Sequence, residues 1–241
     1  MTLDTPALVR IGQAVNACYD PFFLDRPERA VLPAPHSVIW GNDSDGPRPY
    51  GAIYLDPVLE AWVVLLRGTD SIPEWLSDAT ALLVDCPYLP GTRTHKGFTE
   101  IYETLRVDGD SIRAHLIVCE RPIIVAGHSL GAALATLVAA AIGGADLVTF
   151  AGPRCGDEGY AAAAITRLAS NHRIVNAQDI VPKLPAHLEP LFPFTHVGPA
   201  IDLDSAGQVI EDPKAWHDLE TYLHLLDPSQ PIDPQYAPAP A

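Results

Sequence analysis

Gly127-His128-Ser129-Leu130-Gly131 has the form G-x-S-x-G, in which a serine sits on a sharp strand-to-helix turn and small neighbours prevent collisions at the bend. With 9 Ser and 17 Gly in 241 residues, random placement gives only roughly 0.04 such matches. Context adds weight: Ile123-Ile124-Val125-Ala126 reads as a strand before the serine, and Ala132-Ala133-Leu134-Ala135 as a small-residue helix after it. The bland alternative is a glycine-flanked serine in an ordinary turn. A phosphate cradle is excluded, because no GK[ST] follows these glycines and no G-x-G-x-x-G follows any strand.

A serine hydroxyl is a weak nucleophile until an imidazole takes its proton, and that imidazole needs a carboxylate to fix its tautomer. On folds that use G-x-S-x-G the chain order is Ser, acid, His. Asp179 is the expected acid, since it follows the apolar strand Arg173-Ile174-Val175-Asn176-Ala177, and the carboxyl ends of parallel strands carry functional groups. Asp157 is its rival, although a carboxylate in a glycine-containing loop is more often a turn former. Four histidines follow: His187 among prolines, His196 in a strand-like stretch, His217 and His224. His217 is expected at the start of the last helix, where the macrodipole favours the neutral imidazole that a base requires. His224 falls on nearly the same face but about 10 Å further along the axis, so only one of the two can reach Ser129. The oxyanion of a tetrahedral intermediate needs two donors, and the expected N–H groups are those of Leu130, after the nucleophile, and Thr69, which ends an earlier strand through Arg67-Gly68-Thr69.

The elements that must position these groups alternate in type. An N-terminal helix opens at Thr5-Pro6 with Leu8, Ile11, Val15 and Cys18 on one face. Short strands at 37–40 and 50–55 flank the turn-rich stretch 41–47, and Ala61-Trp62-Val63-Val64-Leu65-Leu66 is apolar enough to be buried on both sheet faces. Three more apolar strands, at 122–126, 147–151 and 173–177, are separated by helix-like segments, one with Phe98, Ile101, Tyr102 and Leu105 on a face and one spanning 130–142. That alternation predicts an α/β fold with a mostly parallel central sheet flanked by helices. A strand pair at 195–203 and 208–210 and a last helix from about Trp216 to Leu226 complete a single expected domain, 1–227, and the proline-rich stretch 228–241 is expected to be a loose tail.

Composition bounds the function. Apolar residues make up 48% and charged residues 19%, the balance of a chain with a full core. The net charge of −15 leaves no electrostatic footprint for nucleic acid and opposes anionic membranes. The longest apolar run, 132–144, falls short of the ~20 residues of a spanning helix. Cys18, Cys86, Cys119 and Cys155 are far apart, with no CxxC pair and no clustered histidines, so neither a metal site nor a dense disulfide framework is expected. The N-terminus lacks the basic and apolar stretches of a secretory leader, which points to the cytosol, or to secretion if a leader has been removed.

Several segments together resemble the class 3 lipase family, typified by fungal triacylglycerol lipases and feruloyl esterases. They are Arg67-Gly68-Thr69-Asp70-Ser71 with Trp75 and Asp78, His95-Lys96-Gly97-Phe98, the Ser129 motif, Phe150-Ala151-Gly152-Pro153-Arg154, and Asp179-Ile180-Val181-Pro182 with Leu184-Pro185. His217 followed by Tyr222-Leu223 is similar to the C-terminal histidine motif of the same family. The resemblance implies an α/β-hydrolase fold and cleavage of carboxylic esters without metal or cofactor. It implies Ser129 as nucleophile, Asp179 as acid, His217 as base, and Thr69 with Leu130 as oxyanion donors. It also implies a lid over residues 72–78, carrying Ile72, Trp75 and Leu76, with Asp78 supporting the oxyanion loop. Ser71 and Glu74 have the form of a capping box, with Ile72, Trp75, Leu76, Ala79, Leu82 and Leu83 on one face of a short helix. This segment is acidic, so contact with neutral lipid interfaces is expected over anionic ones. Within the ester hydrolases the expected substrates are acylglycerol lipids, with short-chain or feruloyl esters as the alternative. A non-catalytic binding protein is the rival outside that class, and an acyltransferase or thioesterase would use the same site.

Overall fold

The computed structural model describes residues 3–20, 36–43, 46–69, 82–188 and 192–238. Among them, nine strands form one sheet in the order β14 (Ala200–Leu203), β11 (Ser170–Asn176), β9 (Asp146–Phe150), β8 (Ile123–His128), β3 (Ala61–Leu66), β2 (Gly46–Asp56), β1 (His36–Asp43), β6 (Arg106–Val107) and β7 (Asp110–Ser111), numbered along the chain. From β14 to β3 the neighbours are parallel, and from β3 onwards antiparallel. A smaller ladder joins β12 (His187–Leu188), β13 (Phe192–Thr195), β10 (Gly156–Asp157), β5 (Arg93–His95) and β4 (Leu83–Asp85).

The period-two alternation of the central strands builds two cores. Val64, Leu66, Val125 and Leu147 point into a layer made by α2 (Lys96–Thr104), α3 (Ile112–Leu116), α4 (Leu130–Ile142) and α5 (Glu158–Ile165). Val63, Leu65, Ile124, Ala126 and Val148 point the other way, against α1 (Thr5–Ala17) and α7 (Leu219–Leu226), the latter preceded by the short α6 (Pro213–His217). Helix α4 is buried along nearly its whole length, which its Ala-rich, uniformly apolar sequence permits. Asp4 caps α1 by accepting from the Ala7 N–H, with Pro6 in the first turn, where its missing donor costs nothing.

The structure departs from the sequence expectations in several places. β1 and β2 pair as far as Asp43 with Gly46, so most of the stretch expected as turn is ladder. Residues 200–203 pair in parallel with β11 rather than in a hairpin with 208–210, because the free edge of β11 offers a full ladder. The last helix is two helices, broken at Asp218, which turns to extended backbone (φ −63°, ψ 135°) to cap α7 through the Thr221 N–H. Leu83 belongs to β4, paired with His95, and not to a lid helix. The remaining lid residues, Ile72, Trp75, Leu76 and Asp78, lie outside the described residues. Among the described residues after Asp227, Gln13 donates to Gln230, the Gln230 carbonyl accepts from His224, and the Ile210 N–H donates to the Tyr236 carbonyl. Turns built on Asp227 and Asp233 side chains give its prolines a compact route.

One buried charge fastens α1 to the sheet. Asp56 has no exposed surface and accepts from Arg10 Nε at 2.8 Å, from the N–H groups of Val58 and Leu59 at 2.8 and 3.0 Å, and from the Tyr54 hydroxyl at 3.4 Å. Burial pushes its carboxyl up, but Arg10 and the two N–H groups outweigh burial and hold it below the ordinary carboxylate value. Asp56→Ala orphans these donors and is expected to cost about 2–3 kcal/mol in urea unfolding at neutral pH. Arg10→Ala, whose side chain is 40% exposed, is expected to cost less.

Candidate active site

The turn after β8 is shaped by backbone contacts on all sides. A Cβ at Gly127 would lie 2.2 Å from the Gly131 carbonyl oxygen, and one at Gly131 would lie 2.1 Å from that of Leu66. Only hydrogens fit there, so β8, α4 and the end of β3 interlock. Ser129, at the bend, takes a left-handed conformation (φ 56°), which a residue with a side chain adopts only when its surroundings enforce it. The Ser129 N–H donates to the Phe150 carbonyl at 3.0 Å, tying the bend to β9.

The structure brings the three sequence-predicted residues together. His217 Nε2 lies 2.9 Å from Ser129 Oγ, and His217 Nδ1 lies 2.7 Å from Asp179 Oδ2. A carboxylate oxygen only accepts, so Nδ1 carries the proton and Nε2 presents its lone pair to the serine hydroxyl. Asp179 has no exposed surface, and its other oxygen accepts from the Val181 N–H at 2.9 Å. Asp157, the rival acid, caps α5 through the Tyr160 N–H and pairs with Arg93. His196 hydrogen-bonds the Pro182 carbonyl and His224 that of Gln230; neither is part of this arrangement. His217 closes α6 instead of opening the last helix.

Two supporting residues have roles that the sequence did not disclose. The Tyr222 hydroxyl donates to Asp179 Oδ2 at 2.8 Å and accepts from the Asn176 N–H at 3.1 Å. Burial, and then the charge of Asp179, push the Tyr222 phenol well above its ordinary range, so it remains a donor. Asn176 Nδ2 donates to the Trp216 carbonyl at 2.8 Å, satisfying one of the acceptors left over at the end of α6. β11 thereby holds the segment that carries His217.

Of the two expected oxyanion donors, Leu130 is the first residue of α4, where helical N–H groups have no partner within the helix. Thr69 follows Gly68, at which a Cβ would come within 2.9 Å of Ser129 Cβ, so the segment after β3 passes directly beside Ser129. Among the described residues no His, Cys, Asp and Glu group has metal-binding geometry, and no helix is long and apolar enough to cross a membrane.

Residues 63–189 match the model of the family described as Lipase (class 3). The chain belongs to that family. It is 35% identical over 145 residues to a secreted mono- and diacylglycerol lipase A of Penicillium cyclopium, covering 56% of this chain and 46% of that one. It is 31% identical over 200 residues to the rice (Oryza sativa subsp. japonica) protein named phospholipase A1-II 4, covering 67% and 49%. This class 3 lipase homologue therefore spans about half the length of the curated relatives it matches. The fold is that of the solved mono- and diacylglycerol lipase from Aspergillus oryzae, with a TM-score of 0.62 and 24% identity over 83% of this chain and 80% of that one. It is an α/β-hydrolase fold.

Asp218, next to the histidine, gives the site region a pH signature. Burial pushes its carboxyl from 3.8 up to about 6, against the opposing Thr221 N–H bond and with help from the Glu220 charge. A carboxyl whose folded value is raised contributes stability at low pH that is lost as pH rises through about 6. Asp218→Asn keeps a capping oxygen and removes the charge. It is expected to stabilise the protein by roughly 1–2 kcal/mol above that pH and to change little in acid, as measured by thermal unfolding across the range. An equal effect at both ends would contradict the assigned shift.

Proposed function

We propose that this protein hydrolyses carboxylic esters, acylglycerol lipids foremost, through an acyl intermediate on Ser129. The observation that carries this reading is the unbroken hydrogen-bonded path from Ser129 Oγ through the His217 ring to the buried Asp179 carboxylate. Ser129 Oγ attacks the ester carbonyl carbon while His217 Nε2 takes the hydroxyl proton. The C=O bond electrons move onto the oxygen, which the Thr69 and Leu130 N–H groups stabilise. Collapse of this intermediate expels the alcohol, protonated by His217, and leaves an acyl-serine. Water, deprotonated by His217, then releases the carboxylic acid and restores Ser129. Asp179 stays ionised throughout, holding the tautomer and stabilising the imidazolium.

The proposed roles are nucleophile for Ser129, acid for Asp179 and base for His217. The names of the fungal and rice relatives support lipid esters, acylglycerol or phospholipid, as the substrate class, and the net charge of −15 favours neutral over anionic lipid surfaces. The relative named as secreted supports an extracellular site of action in preference to the cytosol.

Ser129→Ala is expected to abolish turnover of p-nitrophenyl esters, and His217→Ala to lower kcat at least about 1,000-fold. Asp179→Asn should also lower kcat strongly, because an amide holds the imidazole in the wrong tautomer, whereas Asp157→Asn should affect stability alone. Rates on esters from acetate to palmitate, below and above each solubility limit, test the substrate class. Activity confined to dissolved short-chain esters would contradict the lipid reading.

A further inference from the structure

The second residue of the Ser129 motif is occupied in a way that the catalytic path does not use. His128 is buried, with its ring centroid 4.8 Å from that of His217. Its Nε2 lies 2.9 Å from the backbone carbonyl oxygen of His217, and its Nδ1 lies 2.8 Å from the hydroxyl of Tyr19, just past the C-terminal end of α1. The Tyr19 oxygen in turn accepts from the Gly68 N–H at 2.6 Å.

The direction of every bond in this chain follows from its two ends. A carbonyl oxygen only accepts, so His128 Nε2 carries the hydrogen. Burial, and then the neighbouring His217, push the His128 ring well below the ordinary histidine range, so it is neutral and its Nδ1 has a bare lone pair. The Tyr19 hydroxyl fills that lone pair with its single hydrogen, leaving its oxygen to accept from Gly68. Gly68 N–H, Tyr19 O–H and His128 Nε2–H thus point one after another towards the His217 carbonyl.

The two ends are the parts of the site whose placement matters most. At one end, the His217 carbonyl belongs to the last residue of α6, where helical acceptors have no partner within the helix. At the other, Gly68 precedes Thr69, and Arg67 Nη1 holds the Gly68 carbonyl at 2.8 Å, so the N–H and the C=O of Gly68 are both fixed. Because a trans peptide sets its N–H opposite its C=O, the Thr69 N–H turns away from the Arg67 guanidinium. Helix α1 is itself held firmly: Leu8, Ile11 and Val15 are buried against the sheet, and Asn16 reaches Glu220 on α7.

We propose that Tyr19 and His128 are positioning residues that couple the oxyanion strand end to the backbone of the general base, and that α1 serves to deliver Tyr19 to this junction. The proposal rests on the esterase reading above. Neutral His128 also places no second positive charge against the imidazolium that forms on His217 during attack, and an imidazole locked in this tautomer exchanges no proton with it.

Tyr19→Phe removes the acceptor for Gly68 and the donor to His128 while keeping the ring. Its kcat is expected to fall about 10- to 100-fold with KM changed less than about 2-fold, the pattern of a misplaced transition-state contact. Tyr160→Phe serves as the control, since Tyr160 also lies within the fold but its hydroxyl meets Tyr88 and the Thr136 carbonyl, away from this chain. It should lose thermal stability and keep kcat. A folded Tyr19→Phe protein with unchanged kcat, or an equal kcat loss in both variants, would overturn the positioning role. The 15N spectrum of histidine-labelled protein tests the bond directions without any substrate. His128 should show a bare Nδ1 and a protonated Nε2 that do not titrate through neutral pH, with Nδ1 moving towards a free ring nitrogen in Tyr19→Phe. A protonated Nδ1, or a titrating His128, would overturn the chain. Unaltered protein that cleaves no ester would overturn the catalytic reading and the positioning role together, and the 15N spectrum would then judge the hydrogen-bonded chain alone.

Discussion

A carboxylate with no exposed surface has to be met by donors on every side, because an unpaired buried charge costs several kcal/mol. Asp179 is in that position, and its requirements organise the site. Its two oxygens take the Val181 N–H, the Tyr222 hydroxyl and His217 Nδ1. These donors come from the turn after β11, from α7 and from the end of α6. Satisfying the charge therefore fixes where the last two helices sit and which nitrogen of His217 carries its proton. The nitrogen left over is the one that faces Ser129.

A second constraint acts on the serine. The bend at Ser129 exists because three backbone segments approach one another too closely for any side chain at Gly127 or Gly131. The cost of a left-handed serine is offset by the helix and strands that it joins, most of whose side chains are in one of the two cores. The site is thus a junction of rigid parts: a parallel strand behind Ser129, another behind Asp179, and a third ending just before Thr69. Groups mounted in this way need little reorganisation in the proposed reaction, when charge develops on the ester oxygen.

Much of this was legible from sequence because it depends on local pattern. The uniformly apolar strands and the G-x-S-x-G bend announce a parallel sheet and its candidate nucleophile, and the position of Asp179 just past a strand marks it as the candidate acid. The break at Asp218 was not legible in the same way. Residues 216–226 read as one helix, and the kink arises because His217 must reach back to Asp179 while Asp218 caps the next turn. Nor could the sequence show that Tyr19 meets His128, or that Asn176 holds the Trp216 carbonyl, since these pairs are joined only through tertiary contact. Asn176 reads as one more strand residue until its neighbours in space are known.

The central claim is that one serine of nine has been made nucleophilic by its surroundings. Reaction of the folded protein with a fluorophosphonate, followed by intact mass and peptide mapping, tests this most directly. The account predicts a single adduct per chain, on Ser129, lost when the protein is unfolded before treatment. An adduct on a different serine, or none on folded protein, would contradict it.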